Sequence, residues 1–219
     1  AGLPLPGPGD YAVGILFLPG IPGASADGRT RRLVERLALG EGIALLGWRE
    51  VPVAPGVLGD LARQSLPRVL QVFLGRGEIP RASFERKLYA LRRLIEKESA
   101  TSPAGEGERP YFASLSSRTV VYKGLLTASQ LGAFYPDLAD AAFASSWAVV
   151  HQRYSTNTLP DWRLAHPFLF LSHNCEINTI QGNFSLTWRG LMDDVQLVGW
   201  LILMIGYFVM FIQDLLPAK

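Results

Sequence analysis

The sequence predicts an α+β fold, and three observations support this prediction. Residues Tyr11–Leu18 form a continuous apolar run with the length of a strand that is buried on both faces. Residues 83–99 fit a helix with one buried stripe, because apolar side chains recur there at helical spacing: Phe84, Leu88, Leu91 and Ile95. Strands and helices elsewhere are mixed without strict βαβ alternation, which favours α+β over a doubly wound parallel sheet.

Composition narrows the class of protein and the kinds of site that it can hold. The 219 residues are 48% hydrophobic and 18% charged, which suits one full core with or without an appendage and excludes a disordered chain. A net charge of +2 gives no basic surface for nucleic acid. Cys175 is the single cysteine, so an internal disulfide and CxxC zinc sites are excluded, and three histidines leave little for any metal. We therefore expect a reducing, cytoplasmic location.

The first half of the chain alternates strand and helix signals. Residues 1–10 are rich in Pro and Gly and carry no targeting signal, and a chain that starts at Ala1 in such a stretch is expected to be a fragment of a longer protein. Thr30 is a candidate N-cap for a helix that ends at Gly40. The patterns that follow predict strands over 43–53 and 68–74, with a short helix over 58–65 between them.

The middle of the chain is predicted to be richer in strands. Residues 100–109 read as a loop, and residues 111–124 as a β-hairpin that turns at Ser116, Ser117 and Arg118. A short helical piece is expected within 130–137. Two further strands are then predicted, over 147–154 and 168–172.

The tail, residues 184–219, differs from the rest of the chain. Residues 195–212 are apolar except for Gln196, and we predict a helix there. Three interpretations stay open: an unrelated tail produced by a frame change or aberrant splice, a membrane or interfacial anchor, and a buried helix of the fold. No cluster of Lys or Arg flanks the run to set an orientation in a membrane.

Two polar segments, 151–158 and 171–183, follow predicted strands, where a rigid scaffold often presents a site. Arg153 offers a planar fork of donors suited to a carboxylate, and Thr156 adds a hydroxyl close by. Asn174 carries an amide that could donate to a developing oxyanion. The residues alone also allow a second interpretation, in which these are turn and cap residues.

The stretch 151–183 (HQRYSTNTLPDWRLAHPFLFLSHNCEINTIQGN) resembles the glutaminase domain, a class II amidotransferase, of the glutamate synthase large subunit. Family members are expected to carry RFSTNT, a W-x-L-A-Q-P-F-R segment and HNGEINT. Upstream stretches such as YAVGILFLP, FERKLYALRRLIEK and YFASLSSRTVVYKGLL also occur in family order. The resemblance divides the chain into a Pro/Gly-rich start at 1–10, a partial amidotransferase domain at 11–183 and a non-homologous tail at 184–219.

The resemblance implies a partial αββα sandwich of the N-terminal-nucleophile (Ntn) hydrolase type, followed by an unrelated apolar helix. It also implies hydrolysis of glutamine to glutamate and ammonia by an N-terminal Cys thiolate, through a thioester. Arg153 would clamp the glutamine α-carboxylate with support from Thr156, and Asn174 would supply the oxyanion hole. The implied partners are L-glutamine and the remaining synthase domains or subunits. FMN, the iron–sulfur cluster and nicotinamide would bind in those other domains.

The chain departs from the family pattern at several positions. No cysteine precedes Cys175, so the family's nucleophile is absent, and Cys175 itself stands where the family has the oxyanion-hole Gly. His166 and Leu169 replace the Gln and Arg of AQPFR, and the resemblance ends near Asn183, before the acidic residue that would grip the α-amino group. We expect the isolated chain to be inactive.

Alternative interpretations follow from these departures. The chain could be a non-catalytic glutamine- or partner-binding module, tethered to a membrane through 195–212. Cys175 could act as a substitute nucleophile with His173 as its base. In the other interpretation Cys175 has no catalytic role, and His173 and His166 are structural residues that make hydrogen bonds. Trp48 and Trp162 are expected to be packing residues rather than ligand platforms.

Overall fold

The computed structural model describes residues 2–19, 24–101, 109–152, 161–165 and 208–213, and for 24–26 and 208–213 it describes the backbone alone. Within these residues, two antiparallel sheets lie against each other and two long helices cover the outer face of the first sheet. This arrangement matches the predicted α+β class.

The first sheet has the strand order β2-β3-β1-β4, in which every neighbouring pair is antiparallel. Its strands are β1 (Tyr11–Leu18), β2 (Ala44–Glu50), β3 (Arg68–Gly75) and β4 (Tyr111–Ser116). The prediction of a doubly buried strand at β1 is confirmed, since residues 12–18 are all buried. Alternate side chains along β1 enter different cores: Ala12 and Leu16 face the helices, whereas Ile15 and Phe17 face the second sheet.

Helices α1 (Ala24–Gly40) and α3 (Arg81–Thr101) cover the outer face of this sheet. The predicted stripe of α3 is confirmed, because its four apolar residues are all buried. The prediction that Thr30 caps α1 is wrong. The helix begins at Ala24, Thr30 lies inside it with 5% of its surface exposed, and Asp27 in the first turn pairs with Arg31 one turn later at 2.7 Å.

The second sheet has the order β5-β7-β6, formed by β5 (Thr119–Gly124), β6 (Trp147–His151) and β7 (Phe208–Gln213). Helices α2 (Asp60–Gln64) and α4 (Ala128–Phe134), with 3-10 turns at Pro55–Val57 and Pro136–Ala139, lie around its contact with the first sheet. The core between the sheets is mainly aliphatic and aromatic and includes these side chains: Ile15, Phe17, Val69, Val120, Tyr122, Phe134 and Trp162.

The two strands predicted as a β-hairpin are present, but they are not paired with each other. Strand β4 pairs with β1 in the first sheet and β5 pairs with β7 in the second, so the turn between them carries the chain from one layer to the other. Glu85 on α3 holds this turn: its carboxylate accepts the Ser117 N–H at 2.6 Å, the Ser117 hydroxyl at 2.6 Å and the Ser116 hydroxyl at 3.1 Å. Glu85 thus fixes the turn, while β1 and β7 supply the backbone partners that the two strands do not give each other.

The apolar tail was predicted to be helical over 195–212, and for residues 208–212 this is wrong. They belong to β7, which pairs antiparallel with β5 on one side and β6 on the other. A strand at this place supplies backbone partners to two neighbours at once, which a helix cannot do. Residues 195–207 lie outside the described residues. Among the described residues, no helix is long and apolar enough to cross a membrane.

Candidate functional site

The residues predicted to form the glutamine site all lie outside the described residues: Arg153, Thr156, Asn174 and Cys175, together with His166 and His173. Their roles therefore stay predictions. The structure does describe the frame next to them. Strand β6 ends at His151, two residues before Arg153, and the segment 161–165 lies in the sequence between the two predicted site segments.

Trp162 anchors the segment 161–165 in the core between the sheets. Only 2% of its surface is exposed, and its indole N–H donates to the Ala62 carbonyl at 3.1 Å. Its ring meets Phe17 edge-on, with the centroids 6.1 Å apart, and contacts Phe134 at 5.5 Å. The prediction that Trp162 is a packing residue is thus confirmed.

Trp48 is also a packing residue, as predicted. It lies on β2, half-buried against the core between the first sheet and the helices. The Arg31 guanidinium lies 5.1 Å from the centre of its ring, which adds a cation–π contact to this packing.

Lys123 on β5 is the second anchor of the segment 161–165, and sequence reasoning did not single it out. Its surface is 1% exposed, and its Nζ donates to the Arg163 carbonyl at 2.9 Å and to the Tyr111 hydroxyl at 2.7 Å. The signal was available: this lysine interrupts an apolar strand, VVYKG, at a position where an exposed side chain is not expected.

Electrostatics around Lys123 follow from its burial. Desolvation lowers the pKa of Lys123 well below its usual value of 10.5, and the nearby Arg92 guanidinium acts in the same direction, against the carboxylate of Asp161. Burial also raises the pKa of Tyr111 to about 12. Tyr111 is therefore a neutral hydroxyl at physiological pH.

A cluster of partly buried polar side chains around Asp137 links the two sheets. Arg49 on β2 donates to both oxygens of Asp137 at 2.6 Å and to the Gln71 amide oxygen at 2.8 Å. The Tyr122 hydroxyl donates to Asp137 at 3.3 Å and accepts from the Gln71 amide at 3.3 Å. Burial raises the pKa of Tyr122, so it stays a neutral donor. The four side chains thus form one hydrogen-bonded network.

No cluster of three or more His, Cys, Asp or Glu that could hold a metal ion occurs in the part of the chain that the structure describes. The described residues form the two sheets and the core next to the predicted site segments.

The family model for class-II glutamine amidotransferases matches residues 1–190. The chain belongs to this family. This match confirms the family that the motifs at 151–183 indicated. The domain is mixed α/β with antiparallel sheets.

Relatives of this amidotransferase domain are glutamate synthases. The chain is 48% identical over 179 residues to "Glutamate synthase [NADPH] large chain" of Bacillus subtilis (strain 168), a match that covers 80% of this chain and 11% of the relative. It is 45% identical over 174 residues to "Ferredoxin-dependent glutamate synthase 1, chloroplastic/mitochondrial" of Arabidopsis thaliana, covering 79% of this chain and 10% of the relative. The large chain of Azospirillum brasilense is 44% identical over 176 residues, covering 78% and 11%. The chain therefore spans about a tenth of the length of these relatives.

Proposed function

We propose that this chain is the glutaminase domain of a glutamate synthase large chain. In the complete enzyme it would hydrolyse the side-chain amide of L-glutamine and release ammonia to a distant site that makes glutamate from 2-oxoglutarate. The observation that carries the proposal is the identity of 44–48% to glutamate synthase large chains from two bacteria over about four fifths of this chain.

The reaction needs a cysteine nucleophile at the start of the mature domain. Its thiolate attacks the amide carbon, the α-amino group takes and returns the proton, ammonia leaves, and water hydrolyses the thioester to glutamate. The 219 residues hold only Cys175, which stands at the family's oxyanion-hole glycine. We infer that these residues bind glutamine without turning it over.

Three side chains would hold the substrate. Arg153 would form a two-point ion pair with the glutamine α-carboxylate, and Thr156 would support it. Asn174 would donate its amide to the oxygen that becomes negative as the thiolate attacks. In the sequence, Arg153 comes two residues after the end of β6 at His151.

The cofactors of glutamate synthase are assigned to its other domains. The single cysteine of this chain cannot supply the thiolates that hold an iron–sulfur cluster. FMN, the cluster and the nicotinamide or ferredoxin donors named for the relatives would thus belong to the nine tenths of those proteins that this chain does not match. These remaining domains or subunits are the proposed protein partners.

A second candidate function rests on Cys175. A side chain at this position restricts the backbone freedom that glycine gives, and so disfavours the oxyanion-hole geometry. The chain would then be a non-catalytic module that binds glutamine or a partner chain.

Calorimetric titration of the 219-residue chain with L-glutamine tests the proposal. We expect measurable binding that Arg153→Ala weakens at least about thirtyfold, because a charge-assisted two-point contact is lost. Arg86→Ala is the matched control: this exposed arginine of α3 donates to the hydroxyl of Ser83 on its own helix, and its removal should leave binding unchanged.

An assay of ammonia release from the same samples completes the experiment. We expect no release above buffer from any of them. Absence of glutamine binding by a chain whose cooperative thermal unfolding shows it to be folded would overturn the proposal. Ammonia release that Cys175→Ser abolishes would overturn the inferred inactivity and make Cys175 a nucleophile. Binding without sensitivity to Arg153 would favour the second candidate.

A further inference from the structure

Lys123 lies where proteins rarely keep a lysine. It belongs to β5, and 1% of its surface is exposed. An ammonium group in such a place would lose its hydration, and the burial of a charge is far more unfavourable than the burial of a neutral polar group. The protonation state of the amine therefore depends on the groups that surround its nitrogen.

The hydrogen bonds of Lys123 Nζ suit an uncharged amine. One runs to the Tyr111 hydroxyl at the start of β4 at 2.7 Å, and the other runs to the Arg163 carbonyl at 2.9 Å. A neutral amine has two N–H groups, which these two bonds use, whereas an ammonium has three. Lys123 takes part in none of the described ion pairs. Its bonds join β5 to the first sheet and to the segment 161–165.

Positive charge from α3 disfavours a charge on Lys123. Arg92 on this helix, with only 13% of its side chain exposed, acts on the amine in this direction. Glu96 accepts from Arg92 at 2.7 Å, but it also accepts from Arg93 at 2.6 Å, so two guanidinium groups share one carboxylate. None of the described residues accepts from the buried Nη1 of Arg92. The α3 side of the environment is therefore positive.

Two groups act in the opposite direction and favour the charged amine. Asp161 is one, but its carboxylate is 34% exposed and is bonded to Nε and Nη2 of Arg163 at 3.2 and 3.0 Å. The other is the Tyr111 ring, whose centre lies 4.4 Å from Nζ; burial raises the pKa of Tyr111 to about 12, so its hydroxyl is neutral. Burial first, and Arg92 second, hold the pKa of Lys123 well below its usual value of 10.5.

We propose that Lys123 is a neutral amine in the folded chain and makes the contact between the two sheets sensitive to acid. Protonation would add a third N–H and a second positive charge beside Arg92. In the unfolded chain the same side chain is in water and is charged below about pH 10. Folding therefore releases a proton. Stability falls as the pH falls from the unfolded pKa towards the folded pKa, and it changes no further below that value. The proposal does not depend on the glutamine site.

Urea unfolding of the 219-residue chain and of Lys123→Met, between about pH 6 and about pH 9.5, tests this proposal. Methionine keeps the bulk of the side chain but does not titrate. The other titrating groups are common to both proteins and cancel in the comparison. We expect the unfolding constant of the parent chain, divided by that of the variant, to rise about tenfold for each pH unit of acidification, until the folded amine is protonated.

Lys87→Met is the matched control, because Lys87 on α3 is 42% exposed and pairs with Glu41 at 2.7 Å. An ammonium in contact with solvent is charged in the folded and in the unfolded chain over this range, so the same ratio should not vary with pH. Lys123→Gln also removes the titrating group, and it replaces Lys123→Met if that variant does not fold. A ratio for Lys123→Met or Lys123→Gln that is constant with pH would overturn the proposal.

Carbon-13 NMR of the lysine Cε atoms gives a direct measurement that needs no folded variant. The chain has four lysines: Lys87, Lys97, Lys123 and Lys219. The Cε shift reports protonation of the attached amine, and we expect one of the four signals to titrate well below pH 10 and to be missing from Lys123→Gln. Titration of all four signals at about pH 10 or above would show a charged Lys123 and would overturn the proposal.

Discussion

Arg49 and Asp137 lie 88 positions apart in the chain, and their side chains form a two-point ion pair in which both nitrogen–oxygen distances are 2.6 Å. The pair connects the outer strand of the first sheet to the 3-10 turn beside the second sheet. With 27% of the Arg49 side chain and 14% of the Asp137 side chain exposed, it is shielded from solvent more than a surface pair is.

Asp137→Asn should destabilise the domain by about 2–3 kcal/mol, because the partly buried guanidinium of Arg49 loses its carboxylate and keeps only neutral partners. Urea unfolding at neutral pH measures the free energy of unfolding. The matched control is Glu98→Gln, which breaks a long-range pair with Arg36 whose side chains are 46% and 58% exposed. That change should cost at most about 1 kcal/mol. If the two variants lost equal amounts of unfolding free energy, burial would not explain the contribution of the Arg49–Asp137 pair.

Gly14→Ala should destabilise the domain by about 1–3 kcal/mol, because the core under the helices has no room for the added methyl. A Cβ at Gly14 would lie 2.7 Å from Val72 Cγ1 and 3.0 Å from Leu115 Cδ1. Thermal unfolding is the measurement. Gly132→Ala is the control: it lies in α4, nothing lies within 4 Å of its added Cβ, and it should be neutral or stabilise by up to about 1 kcal/mol.

Asp10 should make the domain sensitive to acid. Its pKa lies below the usual 3.8, chiefly because of the hydrogen bond with Arg81 and secondly because of the one with Arg76. A carboxylate with a lowered pKa stabilises the fold above its unfolded pKa, and this stabilisation is lost as the pH falls through the folded value. The difference in stability between the parent chain and Asp10→Asn should therefore be constant above about pH 5 and disappear in stronger acid.

Unfolding by urea between about pH 2 and pH 7 checks this prediction about Asp10. Arg81→Gln should show the same convergence with the parent chain in acid, since it removes the first partner of the carboxylate. A difference that persists unchanged at the acid end would mean that Asp10 acts through its shape rather than its charge.

Cys175→Gly should tighten glutamine binding by about tenfold or more, because glycine restores the backbone freedom expected of the family at this position. Cys175→Ala is the control: it removes the thiol but keeps the Cβ, so it should give no such gain. Calorimetric titration of the three proteins decides between the effects of the thiol and of the Cβ. A gain with alanine would assign the effect to the sulfur, and no gain with either would remove Cys175 from the oxyanion hole.

Most of the local structure could be predicted because its signals are local. The predicted positions of the apolar run of β1, the stripe of α3 and the two strands on either side of Ser117 are close to the observed ones. The start of α1 was misplaced at Thr30, since a threonine inside a helix and a threonine that caps one look alike in sequence. The helix predicted over 195–212 fails at 208–212, because a short apolar run fits a helix and a buried strand equally well.

At the candidate site, too, the sequence predicted some residues and missed others. Family motifs identified Arg153, Thr156, Asn174 and Cys175, and these lie outside the described residues, so their geometry stays a prediction. The packing role of Trp162 was predicted correctly. Lys123 was missed, because one lysine in an apolar strand says nothing by itself about the carbonyl it will meet forty residues later.

By itself the sequence indicated the family through its motifs, and it determined the fold class and the order of helices and strands up to β6, since these depend on residue types at short spacing. Only the tertiary structure decided that β4 and β5 belong to different sheets, that β7 joins β5 to β6, and that Lys123 reaches the Arg163 carbonyl. These features depend on which distant segments come into contact as the chain folds. That choice is made by the burial of apolar surface and by the need of each buried donor for an acceptor. No local pattern in the chain encodes such a pairing.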